Sequence, residues 1–308
     1  MRALFAACLF AALAAGSTLA QPAAAPLDRE QVLADVRILS ADDMEGRGAG
    51  TPGGERAREY VVGRFESLGL AAPPSGRLQP FSRTERRGRA VTGANVMGVI
   101  RGTRTPDRWI VVSAHYDHVG VQNGQIYNGA DDNASGVASM LELARQLRAA
   151  PPEHSVLFVA FDAEERGLQG ARAYVEAPAV PLAATALNLN LDMTAREDDG
   201  RLWVAGTFQH PTLRPLLEPI APAGPVRLAF GKDTPQDRGA DNWVSASDHG
   251  AFHERGVPFL YFGADYHPDY HQPTDDFERI RPDTLAGATE LVIRAFRALD
   301  AGLDRSPG

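Results

Sequence analysis

The chain has 308 residues, 44% hydrophobic and 23% charged, an ordinary composition for a soluble globular protein and enough length to bury a large core. A formal net charge of −8 with scattered arginines argues against nucleic acid as a partner. The single cysteine, Cys8, lies in the leader described next, so the mature chain is expected to have no disulfide and no thiol nucleophile.

Residues 1–20 have the three parts of a secretory signal peptide. These are the positive start Met1-Arg2, an apolar run over 3–15 and a small-residue end at Ala20. The run is shorter than the ~20 residues of a spanning helix, so cleavage after Ala20 is expected rather than a stable membrane anchor. That implies an exported protein, periplasmic or extracellular, whose charge falls to −9 when Arg2 is lost. Residues 21–26 read as a flexible leader, and 27–308 as one folded domain.

Helical spacing of Val32, Val36 and Leu39 predicts a helix over 27–40. Residues 46–54 are glycine-rich and read as a loop. A second helix is expected over 55–68, with Tyr60, Val61, Phe65 and Leu68 on one face. The stretch 73–89 is basic and weakly patterned, with Phe81 and then Val91 as candidates for edge strands. From about Asn95 the pattern alternates between strand and helix. Strands are expected at 96–100, 109–114, 155–161, 184–191, 202–205 and 257–262. Helices are expected at 135–149, from 170 and over 282–303. Residues 231–247 form a polar loop. Continuous apolar runs such as 109–114 suit strands buried on both faces. The fold class is therefore α/β, a single-domain three-layer α/β/α sandwich around a mostly parallel mixed sheet.

Sites in such sheets form beyond the C-terminal ends of the strands. After 109–114 come His115, Tyr116, Asp117 and His118. After 155–161 come Asp162, Glu164 and Glu165, and after 184–191 comes Asp192. Beyond 257–262 lie His267 and His271, and Asp131-Asp132 precedes the helix from Ser135. Each feature alone has an ordinary explanation: a surface turn, an acidic residue serving a helix dipole, a solvated acidic pair. Their common placement does not. Imidazoles with several carboxylates suit zinc, and exceed what one ion needs, so two metals sharing a carboxylate fit the set. A glutamate left unbound would act as general base.

The segments Ala114-His115-Tyr116-Asp117-His118, Gly129-Ala130-Asp131-Asp132-Asn133-Ala134-Ser135-Gly136, Phe161-Asp162-Ala163-Glu164-Glu165-Arg166-Gly167, Asn190-Leu191-Asp192-Met193 and Tyr270-His271-Gln272-Pro273-Thr274-Asp275-Asp276 closely resemble the co-catalytic zinc aminopeptidase family. That family includes the bacterial leucyl-type aminopeptidases and is related to glutamate carboxypeptidases. The five segments fall in the family's order, and the likeness spans about 35–280.

The resemblance implies two Zn2+ ions per chain. His115 and Asp192 would bind one, Glu165 and His271 the other, and Asp132 would bridge both. Glu164 would be the general base, Asp117 would hold the His115 imidazole, and Tyr270 would polarise the scissile carbonyl. A cis peptide is expected at Asp132-Asn133. Asp131 is expected to face the backbone, His118 to line the cleft, and His267 not to be a ligand. Ser247-Asp248-His249 and Phe252 are expected to shape the substrate pocket rather than form a serine triad. Peptides with a free N-terminus are the implied substrates.

A glutaminyl cyclase on the same scaffold is the first rival reading, and the intact Asp132-Asn133-Ala134-Ser135-Gly136 counts against it. A carboxypeptidase or dipeptidase would need a basic residue for the C-terminal carboxylate, for which Arg238 is a candidate. A non-catalytic binding module is the least favoured, because every implied ligand and the base are present.

Overall fold

The computed structural model describes residues 25–84 and 88–304. The expected signal peptide and most of the leader lie outside the described residues.

Helix α1 (Arg29–Leu39) starts at Asp28, whose carboxylate accepts from the amide of Gln31, and α2 (Pro52–Ser67) is capped in the same way by Thr51. The chain then enters β1 (Leu78–Thr84), β2 (Ala90–Ile100) and β3 (Thr105–His115). A small hairpin, β4 (Gly120–Gln122) and β5 (Gln125–Tyr127), leads to a turn at Ala130–Ser135 and α3 (Gly136–Ala149). After these come β6 (His154–Phe161), α4 (Gln169–Glu176), β7 (Thr185–Leu191) and β8 (Arg201–Ala205). The chain closes with short α5 (Arg214–Leu217), β9 (Arg227–Phe230), short α6 (His249–His253), β10 (Phe259–Gly263) and the long α7 (Pro282–Gly302).

Eight strands form one sheet in the order β1-β2-β6-β3-β7-β10-β8-β9. The central four, β6, β3, β7 and β10, are mutually parallel, while β2 and β8 join them antiparallel on either side. The parallel centre therefore presents all four C-terminal strand ends along one edge.

Alternation along each central strand feeds two separate cores. Ile110, Val112 and Ala114 of β3, with Val156, Phe158 and Ala160 of β6, pack under α1, α2, α3 and α7. Trp109, Val111, Leu157, Val159 and Phe161 face the other way, against Tyr174 of α4 and Phe252 of α6. Burial on both faces explains the continuous apolar runs and establishes the three-layer sandwich.

Three elements depart from the sequence pattern. β2 begins six residues earlier than the apolar run, β9 adds an unexpected edge, and the β4–β5 hairpin was not expected, whereas β1 is an edge strand at Phe81 as expected. β1 pairs only with β2 and its exposure alternates residue by residue, so it carries little apolar signal. Phe252, expected at the substrate pocket, is fully buried among Phe161 and Tyr174 instead.

Candidate metal centre

The chemistry-bearing residues converge where the parallel strands end. His115 is the last residue of β3, with Asp117 and His118 just beyond it. Glu164 and Glu165 follow β6, Asp192 follows β7, and the loop after β10 carries Tyr270 and His271. The turn before α3 supplies Asp132, with a cis peptide at Asp132-Asn133. Of the eight non-glycine residues with positive φ, Arg47, Ala163, Met193 and His271 all abut this cluster, a placement common at functional sites.

Two groups of donor atoms result. His115, Asp132 and Asp192 form one, and His118, Asp132, Glu165 and His271 the other; within each, the donor atoms lie within 4.8 Å of one another. Asp132 is common to both through different oxygens. Its Oδ1 is 3.3 Å from His115 Nε2, and its Oδ2 is 3.0 Å from His271 Nε2. His115 Nε2 is also 3.3 Å from Asp192 Oδ1, and His271 Nε2 is 3.1 Å from Glu165 Oε1.

The residues fit a pair of metal ions. Nitrogen and carboxylate oxygen are the donors zinc takes. The electrostatics also ask for cations. Burial alone would depress the His115 pKa, but Asp192, Glu164, Asp117 and Asp132 together raise it well above the ordinary imidazole value. Burial likewise opposes protonation of His271, yet Asp132 and Glu165 bring its pKa up to about 10. A cluster that drags protons onto buried imidazoles is one that divalent cations would neutralise.

Surrounding groups hold the donors. Nδ1 of His115 faces the carbonyl oxygen of Asp117 at 3.0 Å; that oxygen can only accept, so Nδ1 carries a proton and Nε2 is the ring atom that would give its lone pair to a cation. The carboxylate of Asp117 is 3.7 Å from the same nitrogen and is engaged elsewhere. Its Oδ1 accepts from the amide of Glu164 at 2.9 Å, and its Oδ2 from the amide of Glu165 at 3.3 Å. Asp275 accepts from the amides of Asp131 and Asp132, fixing the turn that carries the shared carboxylate. Asn133 donates to the carbonyl of Leu191 and accepts from the amide of Met193, tying that turn to the loop of Asp192.

Arg47 was not legible as a functional residue. It sits at the edge of the glycine-rich stretch, and its guanidinium is fully buried. It donates to the carbonyls of Tyr116, Leu39, Asn128 and Gly129 at 2.6–2.8 Å. The carbonyls of Tyr116, Asn128 and Gly129 belong to the segments that present His115 and Asp132, and that of Leu39 ends α1. Burial lowers its pKa to about 10, with Asp132 and Asp275 opposing.

The residues set aside from the ligand set are placed individually. His267 Nε2 pairs with Asp131 Oδ2 at 3.1 Å, and Asp131 also accepts from the amide of Ala195. His249 Nε2 donates to the carbonyl of Trp243 at 2.7 Å, and Ser247 Oγ accepts from Asn190, so neither is poised as part of a triad. His118, expected only to line the cleft, lies inside the second donor group. Its signal was the imidazole three residues after His115 at the same strand end.

Glu164 retains some solvent contact, yet protein crowds it. Burial, with Glu165, Asp248 and Asp192 nearby, pushes its carboxyl well above the usual range against the pull of His115. It lines a small cavity of about 30 Å3 together with Asp192, Met193, Trp243, Tyr266 and Tyr270. On the other side of His271 opens a groove of about 730 Å3 flanked by Gly48, Thr51, Arg89, Gln122 and Arg166. Tyr270 stacks on the His271 ring at 4.0 Å between centroids.

Among the described residues no helix is long and apolar enough to cross a membrane.

Comparison with known proteins gives concordant results. The model of peptidase family M28 matches residues 95–296. Aminopeptidase YwaD of Bacillus subtilis is 32% identical over 220 residues, covering 66% of this chain and 44% of that protein, so the match spans less than half of the relative's length. Among solved structures, BSAP, a zinc aminopeptidase from Bacillus subtilis, superposes with a TM-score of 0.70 at 20% identity, covering 88% of this chain and 95% of BSAP. The glutaminyl cyclase of Porphyromonas gingivalis does so with a TM-score of 0.71 at 18% identity, covering 88% and 99%. At those identities the two structures speak for the fold.

Proposed function

The chain belongs to peptidase family M28, and from that premise we propose that it is an exported two-zinc aminopeptidase that removes residues from the free N-terminus of peptides. The observation that carries the reading is the position of the two donor groups. They share Asp132 and lie between a cavity of about 30 Å3 and a groove of about 730 Å3. An enzyme that trims chain ends needs such an asymmetry, with one small compartment for the terminal residue and one wide path for the rest of the peptide.

His115 and Asp192 would hold one ion, Glu165 and His271 the other, and Asp132 would bridge them. When bound, the pair supplies Lewis acidity and lowers the pKa of water. Glu164, on the wall of the small cavity beside the donor groups, takes a proton from the attacking water and delivers it to the leaving amine nitrogen. The amides of Glu164 and Glu165, anchored on Asp117, keep the base aligned with its neighbour. Tyr270, lining the small cavity, would donate to the scissile carbonyl oxygen. The acidic wall formed by Glu164 and Asp192 would receive the free α-amine.

A shared carboxylate between two donor groups supports this reading over a cyclase that works with one zinc. The test is a metal count on the purified protein, with hydrolysis of aminoacyl-p-nitroanilides and their N-blocked counterparts. Two zincs and cleavage of free-amine substrates alone are expected. One zinc with no anilide cleavage would overturn the proposal.

A further inference from the structure

His118 is 1% exposed, and its ring rests against Gly129, where φ is 56° and an added Cβ would come within 2.5 Å of the imidazole. A side chain at 129 would therefore displace the ring, so backbone shape fixes where His118 points. It points at the second donor group. Its Nδ1 is 2.8 Å from Glu165 Oε1 and 3.8 Å from Asp132 Oδ2, and its ring lies edge-on to that of His271 at 5.6 Å.

The 2.8 Å approach is not a hydrogen bond. Both ring nitrogens of His118 and Oε1 of Glu165 are buried without a hydrogen-bond partner, because the angles between them are wrong. Two buried polar atoms that come this close without aiming at each other are aimed at a common third point. Donors about 2.0–2.2 Å from one tetrahedral zinc lie roughly 3.3–3.6 Å from each other. The separations of His271 Nε2 from Asp132 Oδ2 and Glu165 Oε1, 3.0 and 3.1 Å, and those of His118 Nδ1 from Glu165 and Asp132, 2.8 and 3.8 Å, scatter closely about that range.

We propose that His118 is a fourth protein donor of the second centre, so that the two metal positions are unequal. The His118-Asp132-Glu165-His271 position borders the wide groove, but four protein donors fill its coordination and make it the tightly binding one. The His115-Asp132-Asp192 position, with three protein donors and Glu164 on the same cavity wall, is the open one at which substrate and water exchange. Four protein donors characterise structural zinc sites, and three with an open place characterise catalytic ones. The inference rests on the two-zinc reading above and deepens it by assigning the two positions different work.

The experiment is a zinc titration of metal-free protein against a chromogenic competing chelator, on the parent, His118→Gln, His118→Ala and Asp192→Asn. Near-ultraviolet circular dichroism of the metal-free forms reports whether each variant is folded. The parent should bind two equivalents in resolved steps. Loss of a ligand should weaken binding at least as much as loss of an outer hydrogen-bonding partner, so His118→Gln should weaken the tighter step by roughly 100-fold and spare the other. Asp192→Asn should do the reverse. The glutamine variant retains the bulk against Gly129 and decides the matter if the alanine variant does not fold. A folded His118→Gln that titrates like the parent, or that weakens both steps equally, overturns the proposal. A parent that binds fewer than two equivalents removes the two-zinc reading itself.

Discussion

The amide of Glu164 donates to Oδ1 of Asp117 across 2.9 Å, so Glu164 is tethered by its backbone to the loop that follows His115. The other oxygen of Asp117 takes the next amide, that of Glu165. In Asp117→Asn one of these amides would face an NH2 group. The variant should lose roughly 10–100-fold in metal affinity or turnover, as loss of an outer partner of a metal site typically does. Parallel measurement of zinc content and kcat checks this, and unchanged values for both would contradict it.

Glu164→Gln keeps the shape of the side chain and removes its proton affinity. Zinc content should remain that of the parent while kcat falls by roughly 10²–10⁴, the usual contribution of a general base. Turnover equal to the parent would remove Glu164 from the mechanism.

Asp132 contributes an oxygen to each donor group. Asp132→Ala should therefore release both ions, whereas Asp192→Asn should loosen one. Elemental analysis after gel filtration distinguishes them. Two ions retained by Asp132→Ala would exclude a shared role.

Removing the Arg47 guanidinium leaves the carbonyls of Leu39, Tyr116, Asn128 and Gly129 without their buried donor. Unpaired buried polar groups cost about 1–3 kcal/mol each, so Arg47→Met should destabilise the fold by more than about 3 kcal/mol even without metal. Urea unfolding of metal-free protein measures it. A loss below 1 kcal/mol would show that water replaces the guanidinium.

His154, at the start of β6, has Nδ1 2.9 Å from Asp300 Oδ1 in α7 and Nε2 3.1 Å from Asp304. Burial opposes its protonation, but the hydrogen bond to Asp300 and the charges of Asp300 and Asp304 raise its pKa above 6.5. The folded state thus holds this proton more tightly than the unfolded chain. Its contribution is complete below about pH 6.5 and is lost as pH rises through the folded value. Stability of metal-free protein should decline from pH 6.5 upward more steeply in the parent than in His154→Gln. Parallel slopes would contradict the assignment.

The parallel centre of the fold was legible because strands buried on both faces leave apolar runs that stop abruptly at a polar residue, as β6 does before Asp162 and β3, with only Ser113 inside its run, does at His115. The cis peptide at Asp132-Asn133 followed from the resemblance and is present. What escaped the sequence pattern escaped for identifiable reasons. β9 is a four-residue edge strand paired with β8, and none of its residues is buried, so it leaves no apolar run. Arg47 acts only through backbone carbonyls distant in sequence, and no spacing rule connects it to Asn128 or Gly129. His118 looked like a bystander because the ring position depends on Gly129, whose φ of 56° cannot be read from its neighbours.

The contrast in size between the two compartments has a consequence for whatever surrounds this protein. On the proposed reading, a hydrolase whose site is walled on one side by Trp243, Tyr266 and Tyr270 does not pass the middle of a chain through it. Folded neighbours with tucked-in ends are spared, as are its own loops. Such an enzyme would need neither a blocking segment nor a dedicated inhibitor to be harmless among other proteins. Its restraint is built into the wall formed by Trp243, Tyr266 and Tyr270.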